Sequence, residues 1–336
     1  LSVFERSKAY KPFKFPKLVE EEKKHRIDMY WHENQTDLSD DLRQYHSKEG
    51  LKTENVSHER HKLLLEKLLP LFTASDTSVS EGYAKLLPHA NNNEIRGLLF
   101  TQGAREVTHY RGYALANETF GFPESSWEEF HEYKEMQDKV DLMLADVGDL
   151  SNKLNWCKQL AVVLLGEGIS LFGSFCPLLN LKRSGLCVGF NDINQWSLID
   201  EAHHISNNIY ILRQAWLELS NEERDELCTF ILECSQRYVD AEHRFIELIF
   251  EDGPLEDLTE AQLKGYITYL GKHWLRELGL IGSLDVPENT IEWMDWMLSG
   301  VKHDNFFEKK VTSYSHNGLQ GDVDYTKYLG DELNDY

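Results

Sequence analysis

Glu106, His109 and Tyr113 fall at steps of three and four along residues 94–120, in register with Ile95, Leu99, Gln102, Ala116 and Phe120. Read as a helix, the stretch carries a carboxylate, an imidazole and a phenol on a face that its apolar residues turn inward. A carboxylate on such a face costs several kcal/mol unless its charge is compensated, and a metal ion compensates it well. Glu106 and His109, one turn apart, can hold the same ion. The pattern recurs at Glu201 and His204, with Leu198, Ile205 and Ile211 on the inward side. Two further acids stand on apolar stripes: Asp76 with Leu65, Leu69, Phe72, Tyr83 and Leu87, and Glu167 with Leu160, Leu164, Leu171 and Phe175.

Glu-x-x-His alone is a weak signal. With 57 acidic residues and 14 histidines the spacing recurs by chance, and Glu22/His25 and Glu128/His131 also show it. Those two pairs lie in charged stretches and read as surface residues. The combination is informative. Two Glu-x-x-His pairs plus one acid on each of two further helices form the ligand set of a dinuclear carboxylate centre in a four-helix bundle. Four carboxylates offset two divalent ions. Oxygen and imidazole ligation without thiolate suits iron or manganese rather than structural zinc.

The elements that must position these groups are helical. Helices are expected over 59–87, with Pro70 kinking or splitting it, and over 94–120. Others are expected over 126–146, charged and outer, and over 151–176, stopped by Pro177. The remainder cover 191–219, 220–250 behind a Ser220/Glu223 capping box, 260–278 behind Thr259/Gln262, and 287–301 with Trp293 and Trp296. Residues 181–192 read as a loop. Residues 1–58 form a polar, irregular arm carrying Trp31, residues 59–308 the helical domain, and residues 309–336 a Gly- and Asp-rich mobile tail. In that tail Leu329, Leu333 and Tyr336 would make an apolar edge on a helix induced by a partner. Alternating strand patterns are almost absent, so the fold class is all-α.

The net charge of −22 and the pI near 5.0 repel phosphate backbones and argue against nucleic-acid binding. No uninterrupted apolar run reaches the ~18–20 residues of a membrane helix, and no membrane association is expected. Five cysteines, an odd number without a CxxC pair, argue against a disulfide framework and fit a cytoplasmic protein.

Over about residues 20–310 the chain resembles the small, radical-generating subunit of class I ribonucleotide reductase. The resemblance rests on Asp76, REVTHYRGY at 105–113, LLGEGISLFGSF at 164–175 and IDEAHHISN at 199–207. It implies a ferritin-like helical bundle with extra helices around a dinuclear metal site. Asp76, Glu106 and His109 would hold one metal and Glu167, Glu201 and His204 the other, with some carboxylates bridging. Tyr113 matches the radical tyrosine, Asp200 the acid that hydrogen-bonds the ligand His109, and Trp31 the tryptophan joined to that acid. Leu171, where many members have a bulky aromatic, and Phe175 are candidate walls of the radical pocket. Tyr325 and Tyr328 are candidates for the tail tyrosine that passes the radical on, ahead of Tyr314 and Tyr336. The resemblance also implies a homodimer, a large catalytic partner subunit that reduces ribonucleotides, and an oxidant that a flavoprotein activase could supply. A di-iron centre is expected first; two manganeses or a mixed pair suit the same ligands. The alternative is a stand-alone ferritin-like dimetal oxidase or oxygenase acting on an apolar substrate, which has no use for Trp31, Asp200 or a tyrosine-bearing tail. An iron-storage protein is a more distant rival, at about half this length and assembled into shells.

Overall fold

The acid-bearing stretches become helices because their apolar residues repeat at the helical period and their ends carry capping side chains. The computed structural model describes residues 2–279 and 284–299. The last residues of the helix expected at 287–301, and the tail with Tyr314, Tyr325, Tyr328 and Tyr336, lie outside the described residues.

The first 58 residues are less irregular than expected. They hold α1 (Pro16–Lys23), a π-helical turn at Lys24–Asp28, a 3-10 turn at Glu33–Gln35 and α2 (Ser39–His46). Helix α3 runs His58–Leu86 with the Ser57 side chain accepting from the Arg60 N–H. Pro70 lies inside it and neither splits nor ends it; proline only withholds its own N–H there. Helix α4 (Asn93–Phe120) is capped by Asn92, whose side chain accepts from Glu94 and Ile95. The charged segment breaks into α5 (Ser126–Glu129), a 3-10 turn at Phe130–Glu132 and α6 (Lys134–Met143). It is not wholly outer: Met136, Lys139, Val140 and Met143 are buried.

The next helical run is longer than expected, because Pro177 sits inside it. Helix α7 (Lys153–Leu165) passes through a π turn at Gly166–Ser170 into α8 (Phe172–Arg183). The expected loop at 181–192 shrinks accordingly, since α9 spans Val188–Trp216. Helices α10 (Asn221–Phe250) and α11 (Glu260–Leu278) begin at the two capping boxes expected from sequence, and α12 spans Glu292–Ser299. The described residues contain no strand, only an isolated bridge between Leu255 and Leu258.

Helices α3, α4, α9 and α7 each pack against the next in a closed ring, α7 returning to α3. Their facing stripes supply the core. All eight members of the α4 stripe, from Ile95 to Phe120, are buried, and each large apolar side chain so removed from water contributes about 1.5–3 kcal/mol. Helix α10 packs over α6 and α7, α11 over α10, and α1 of the arm lies along α4. By length and composition the run Lys153–Arg183 could cross a membrane, contrary to the expectation from apolar runs. Its polar residues interrupt the run without lowering its mean hydropathy enough, and its most apolar window is wholly inside the protein.

Candidate metal centre

Each helix of the ring delivers its acid to one place. Asp76 comes from α3, Glu106 and His109 from α4, Glu167 from the π turn after α7, and Glu201 and His204 from α9. All six are buried, with exposures of 0–1%. They form two overlapping sets of ligand atoms within 4.8 Å of one another. One is Asp76, Glu106, His109 and Glu201; the other is Glu106, Glu167, Glu201 and His204.

Glu106 and Glu201 belong to both sets, and their oxygens divide between the imidazoles. His109 Nδ1 lies 3.2 Å from Glu106 Oε2 and 3.0 Å from Glu201 Oε1. His204 Nδ1 lies 3.0 Å from Glu106 Oε1 and 3.3 Å from Glu201 Oε2, and 3.2 Å from Glu167 Oε1. Two carboxylates are thus shared between the two imidazoles. The imidazole rings are nearly parallel, with centroids 6.2 Å apart.

The electrostatics suit cations. Both oxygens of Asp76 are buried without a hydrogen-bond partner, a state that is costly for a carboxylate. Burial pushes the Asp76 carboxyl well above its ordinary range, and pushes Glu167 up to about 8. Burial also disfavours charge on His109 and His204, yet the surrounding carboxylates overcome it and hold both imidazoles well above their ordinary value. Protons thus do the compensating that two divalent ions would do. Four carboxylates and two imidazoles fit a dinuclear iron or manganese centre in number, charge and donor type.

Glu167 owes its aim to the π turn, which displaces it from the regular helical course. Its Oε1 accepts from the Tyr83 hydroxyl at 2.7 Å and its Oε2 from Asn208 Nδ2 at 3.2 Å. Gln102 and Asn208 in turn donate to the Tyr83 oxygen. Gln102 and Tyr83 stood on the sequence stripes, but their bonding to Glu167 was not foreseen.

Outside the centre, Asp200 Oδ2 accepts from Trp31 Nε1 at 2.9 Å, from Arg105 Nε and Nη2 at 3.0 and 2.7 Å, and faces His109 Nε2 at 3.1 Å. The juxtaposition of Trp31, Asp200 and His109 expected from the resemblance is present. Arg105 was missed as a participant, although it stands one residue before Glu106. Burial works against the Asp200 charge, but Arg105, His109 and His25 together outweigh it and hold the carboxyl well below its usual range. Gly112 makes room for Ile193 of α9: a Cβ there would lie 2.6 Å from its side chain, while the Trp31 indole would stay in ordinary contact at 3.8 Å.

Tyr113 is fully buried, and its hydroxyl donates to Asn194 Oδ1 at 3.1 Å. Phe72 stacks on it at 4.5 Å and Phe190 meets it edge-on at 6.0 Å. Phe175 packs against Phe72, while Leu171 is buried in the same core. Burial raises the phenol well above its ordinary pKa, with Asp76 the next contributor.

One sequence reading is overturned. His25 is not a surface residue but fully buried, with Nε2 3.1 Å from His204 Nε2. The charged neighbours from Glu20 to Arg26 hid a π turn that rolls this one side chain inward. Glu128 and His131 are exposed, as expected.

Comparison with known proteins agrees with this arrangement. The family described as "Ribonucleotide reductase, small chain" matches residues 7–283. A probable ribonucleoside-diphosphate reductase small subunit of Invertebrate iridescent virus 3 is 30% identical, over 93% of this chain and 85% of its own. The small subunit of Dictyostelium discoideum is 25% identical, over 92% of this chain and 86% of its own. Among solved structures, a putative class I ribonucleotide reductase from Bacillus halodurans shares the fold at a TM-score of 0.73. It is 16% identical, and the match covers 84% of this chain and all of that one. The dimanganese(II)-NrdF of Streptococcus sanguinis shares it at 0.68 and 17% identity, over 86% and 97%. With its ferritin-like bundle and its paired carboxylate–imidazole sets, the chain belongs to the ribonucleotide reductase small chains, the small subunits of class I ribonucleoside-diphosphate reductases.

Proposed function

We propose that the chain generates and stores a tyrosyl radical at Tyr113, for use by a large subunit that converts ribonucleotides to deoxyribonucleotides. Asp76, Glu106 and His109 would hold one metal ion and Glu167, Glu201 and His204 the other, with Glu106 and Glu201 placed within reach of both. When bound, the pair supplies the oxidising power, drawn from dioxygen or a related oxidant, that a phenol needs to lose an electron and a proton. The carrying observation is the fully buried Tyr113 beside two overlapping, fully buried ligand sets.

The chain's own residues do the rest. Burial keeps Tyr113 a neutral phenol, so its oxidation must release a proton. The amide oxygen of Asn194 accepts the hydroxyl's hydrogen bond but is too weak a base to keep that proton. The proton leaves toward the metal site, where the carboxylate of Asp76 acts most strongly on the phenol. Phe72, Phe190 and, through Phe72, Phe175 exclude water and reductants from the ring. Trp31, Asp200 and His109 form the route by which electrons reach the centre, the indole N–H proton resting against Asp200 Oδ2.

The ligand set takes two irons, two manganeses or a mixed pair, with two irons first. The protein works as a homodimer docked through its tail, where Tyr325 or Tyr328 continues the route into the large subunit, and a flavoprotein activase serves it if manganese is used. Its five cysteines form no disulfide among the described residues, which suits a reducing cytoplasm. The test is electron paramagnetic resonance with metal analysis on protein reconstituted with iron or with manganese, for wild type and Tyr113→Phe. Wild type should show an organic radical, and the variant should keep the metals and lose that signal. The same radical in the variant would exclude Tyr113.

A further inference from the structure

The two ligand imidazoles have different partners on their outer sides. His109 turns Nε2 to the carboxylate of Asp200 at 3.1 Å. His204 turns Nε2 to another imidazole, His25, at 3.1 Å. His25 comes from the π turn of the N-terminal arm, is fully buried, and lies with its ring centroid 4.9 Å from that of His204 and tilted by 32°. The same Nε2 is 3.6 Å from Asp200 Oδ1, too far for a hydrogen bond. His25 Nδ1 is buried and has no hydrogen-bond partner.

The donor and acceptor roles follow from elementary accounting. His204 Nδ1 faces the oxygens of Glu106, Glu167 and Glu201, so the lone pair of that nitrogen belongs to the cation position. An imidazole that coordinates through Nδ1 carries its proton on Nε2. A buried N–H needs an acceptor, and an unmatched one costs about 1–3 kcal/mol. His25 Nε2 is placed to receive it; the His25 proton then sits on Nδ1, which has no partner, so the unmatched N–H is moved from the ligand ring to the arm and what is gained is the fixed orientation of His204. A carboxylate partner strengthens an imidazole ligand more than a neutral imidazole does, so the two metal positions are held unequally.

We propose that His25 is a positioning residue for the metal position built on His204: by accepting the His204 Nε2–H it fixes that ring so that Nδ1 meets Glu106, Glu167 and Glu201. This rests on the dinuclear reading of the site. It also means that the arm closes over both outer faces of the centre, with Trp31 at His109 and His25 at His204.

The experiment is titration of the full-length, metal-free protein with manganese(II) alone, following free and bound ion by electron paramagnetic resonance, for wild type, His25→Leu, His25→Asn and His25→Gln. Wild type should bind two ions per chain and show a coupled-pair signal. His25→Leu should weaken one of the two sites by ~10–100-fold, leave the other unchanged, and give an uncoupled signal at one equivalent. His25→Asn keeps polarity but is too short to reach His204, so it should repeat the loss if the leucine variant fails to fold. His25→Gln, whose Oε1 can accept the same proton, should restore the second site. Two-site isotherms identical to wild type in the leucine or asparagine variant would overturn the proposal, as would equal weakening of both sites in a folded variant. A wild-type protein that binds no pair of ions would instead overturn the dinuclear reading itself.

Discussion

Trp31 lies parallel to His109, with ring centroids 5.7 Å apart and planes within 8°, and both rings direct a nitrogen to the same oxygen, Asp200 Oδ2. Arg105 reaches that oxygen too, and its guanidinium sits 5.0 Å from the indole centroid. One carboxylate therefore holds an indole, an imidazole and a guanidinium together. Its negative charge is what Arg105 requires, because a buried guanidinium without a counter-charge is strongly destabilising.

Asp200→Asn keeps the shape and removes the charge. It should weaken metal binding at the His109 position by ~10–100-fold. It should also lower unfolding free energy by about 3–5 kcal/mol, since Arg105 is left buried and unpaired. Trp31→Phe should do neither, yet should abolish turnover with the large subunit. Metal titration, urea unfolding and assay of the reconstituted complex separate the two cases. A Trp31→Phe protein with normal turnover would remove the indole from the route.

The shared oxygens of Glu106 and Glu201 imply a hierarchy among the ligands. Each of these carboxylates faces both imidazoles, whereas Asp76 and Glu167 each belong to one set. Glu106→Ala or Glu201→Ala should reduce bound manganese from two ions per chain to fewer than one. Asp76→Ala and Glu167→Ala should each retain about one ion, a stoichiometry read directly by equilibrium dialysis. Retention of one tightly held ion by Glu106→Ala would show that this residue does not bridge.

The tail carries the third prediction. Removal of residues 318–336 should leave the Tyr113 radical intact and abolish turnover with the large subunit. Tyr325→Phe and Tyr328→Phe, made singly, should show which phenol relays: one should stop turnover and the other should not. Full turnover by the truncated chain would refute the docking role.

The convergence of the six acid and imidazole side chains was legible because an acid on an apolar stripe is an anomaly that periodicity exposes, and four such stripes converge only in a bundle. Tyr113 was visible for the same reason. His25 was not, since its neighbours Lys23, Lys24 and Arg26 mask a single inward side chain, and a π turn shifts the register that helical periodicity assumes. The same limit hid the turn at Gly166–Ser170. A regular helix and one with an extra residue both place Glu167 among Leu164 and Leu171, so sequence gave the acid but not its aim. Pro177 misled because it marks a helix end on average. Here it follows the π turn within an unbroken run. Arg105 had no signal beyond its position beside Glu106.

That π turn is pinned from outside by a buried ion pair, which supplies the last prediction. Glu242 of α10 is fully buried and pairs with the buried Lys139 at 2.7 Å. It accepts a hydrogen bond from the Ser170 hydroxyl at 3.4 Å, and its Oε2, without a hydrogen-bond partner, lies against Gly173 just past the turn. Position 173 must be glycine for this approach, because a Cβ would come within 1.9 Å of Glu242 Oε2. Burial outweighs Lys139 and the other donors and pushes the Glu242 carboxyl up from its ordinary 4.5 to about 7. Between those values the folded protein holds a proton that the unfolded chain releases. The stability from this group is therefore complete below about pH 4.5 and is lost as pH rises to about 7, in total ~3 kcal/mol. Glu242→Gln keeps an acceptor for Lys139 and Ser170 and cannot titrate. Urea unfolding of the metal-free proteins should show wild type losing ~3 kcal/mol relative to the variant between about pH 4.5 and 7, with parallel behaviour above that. The carboxylates of the metal site titrate in both proteins and cancel in the difference. Parallel curves through the whole window would mean that Glu242 is ionised in the fold from the start, and that Lys139 alone sets the charge state of the clamp behind Glu167.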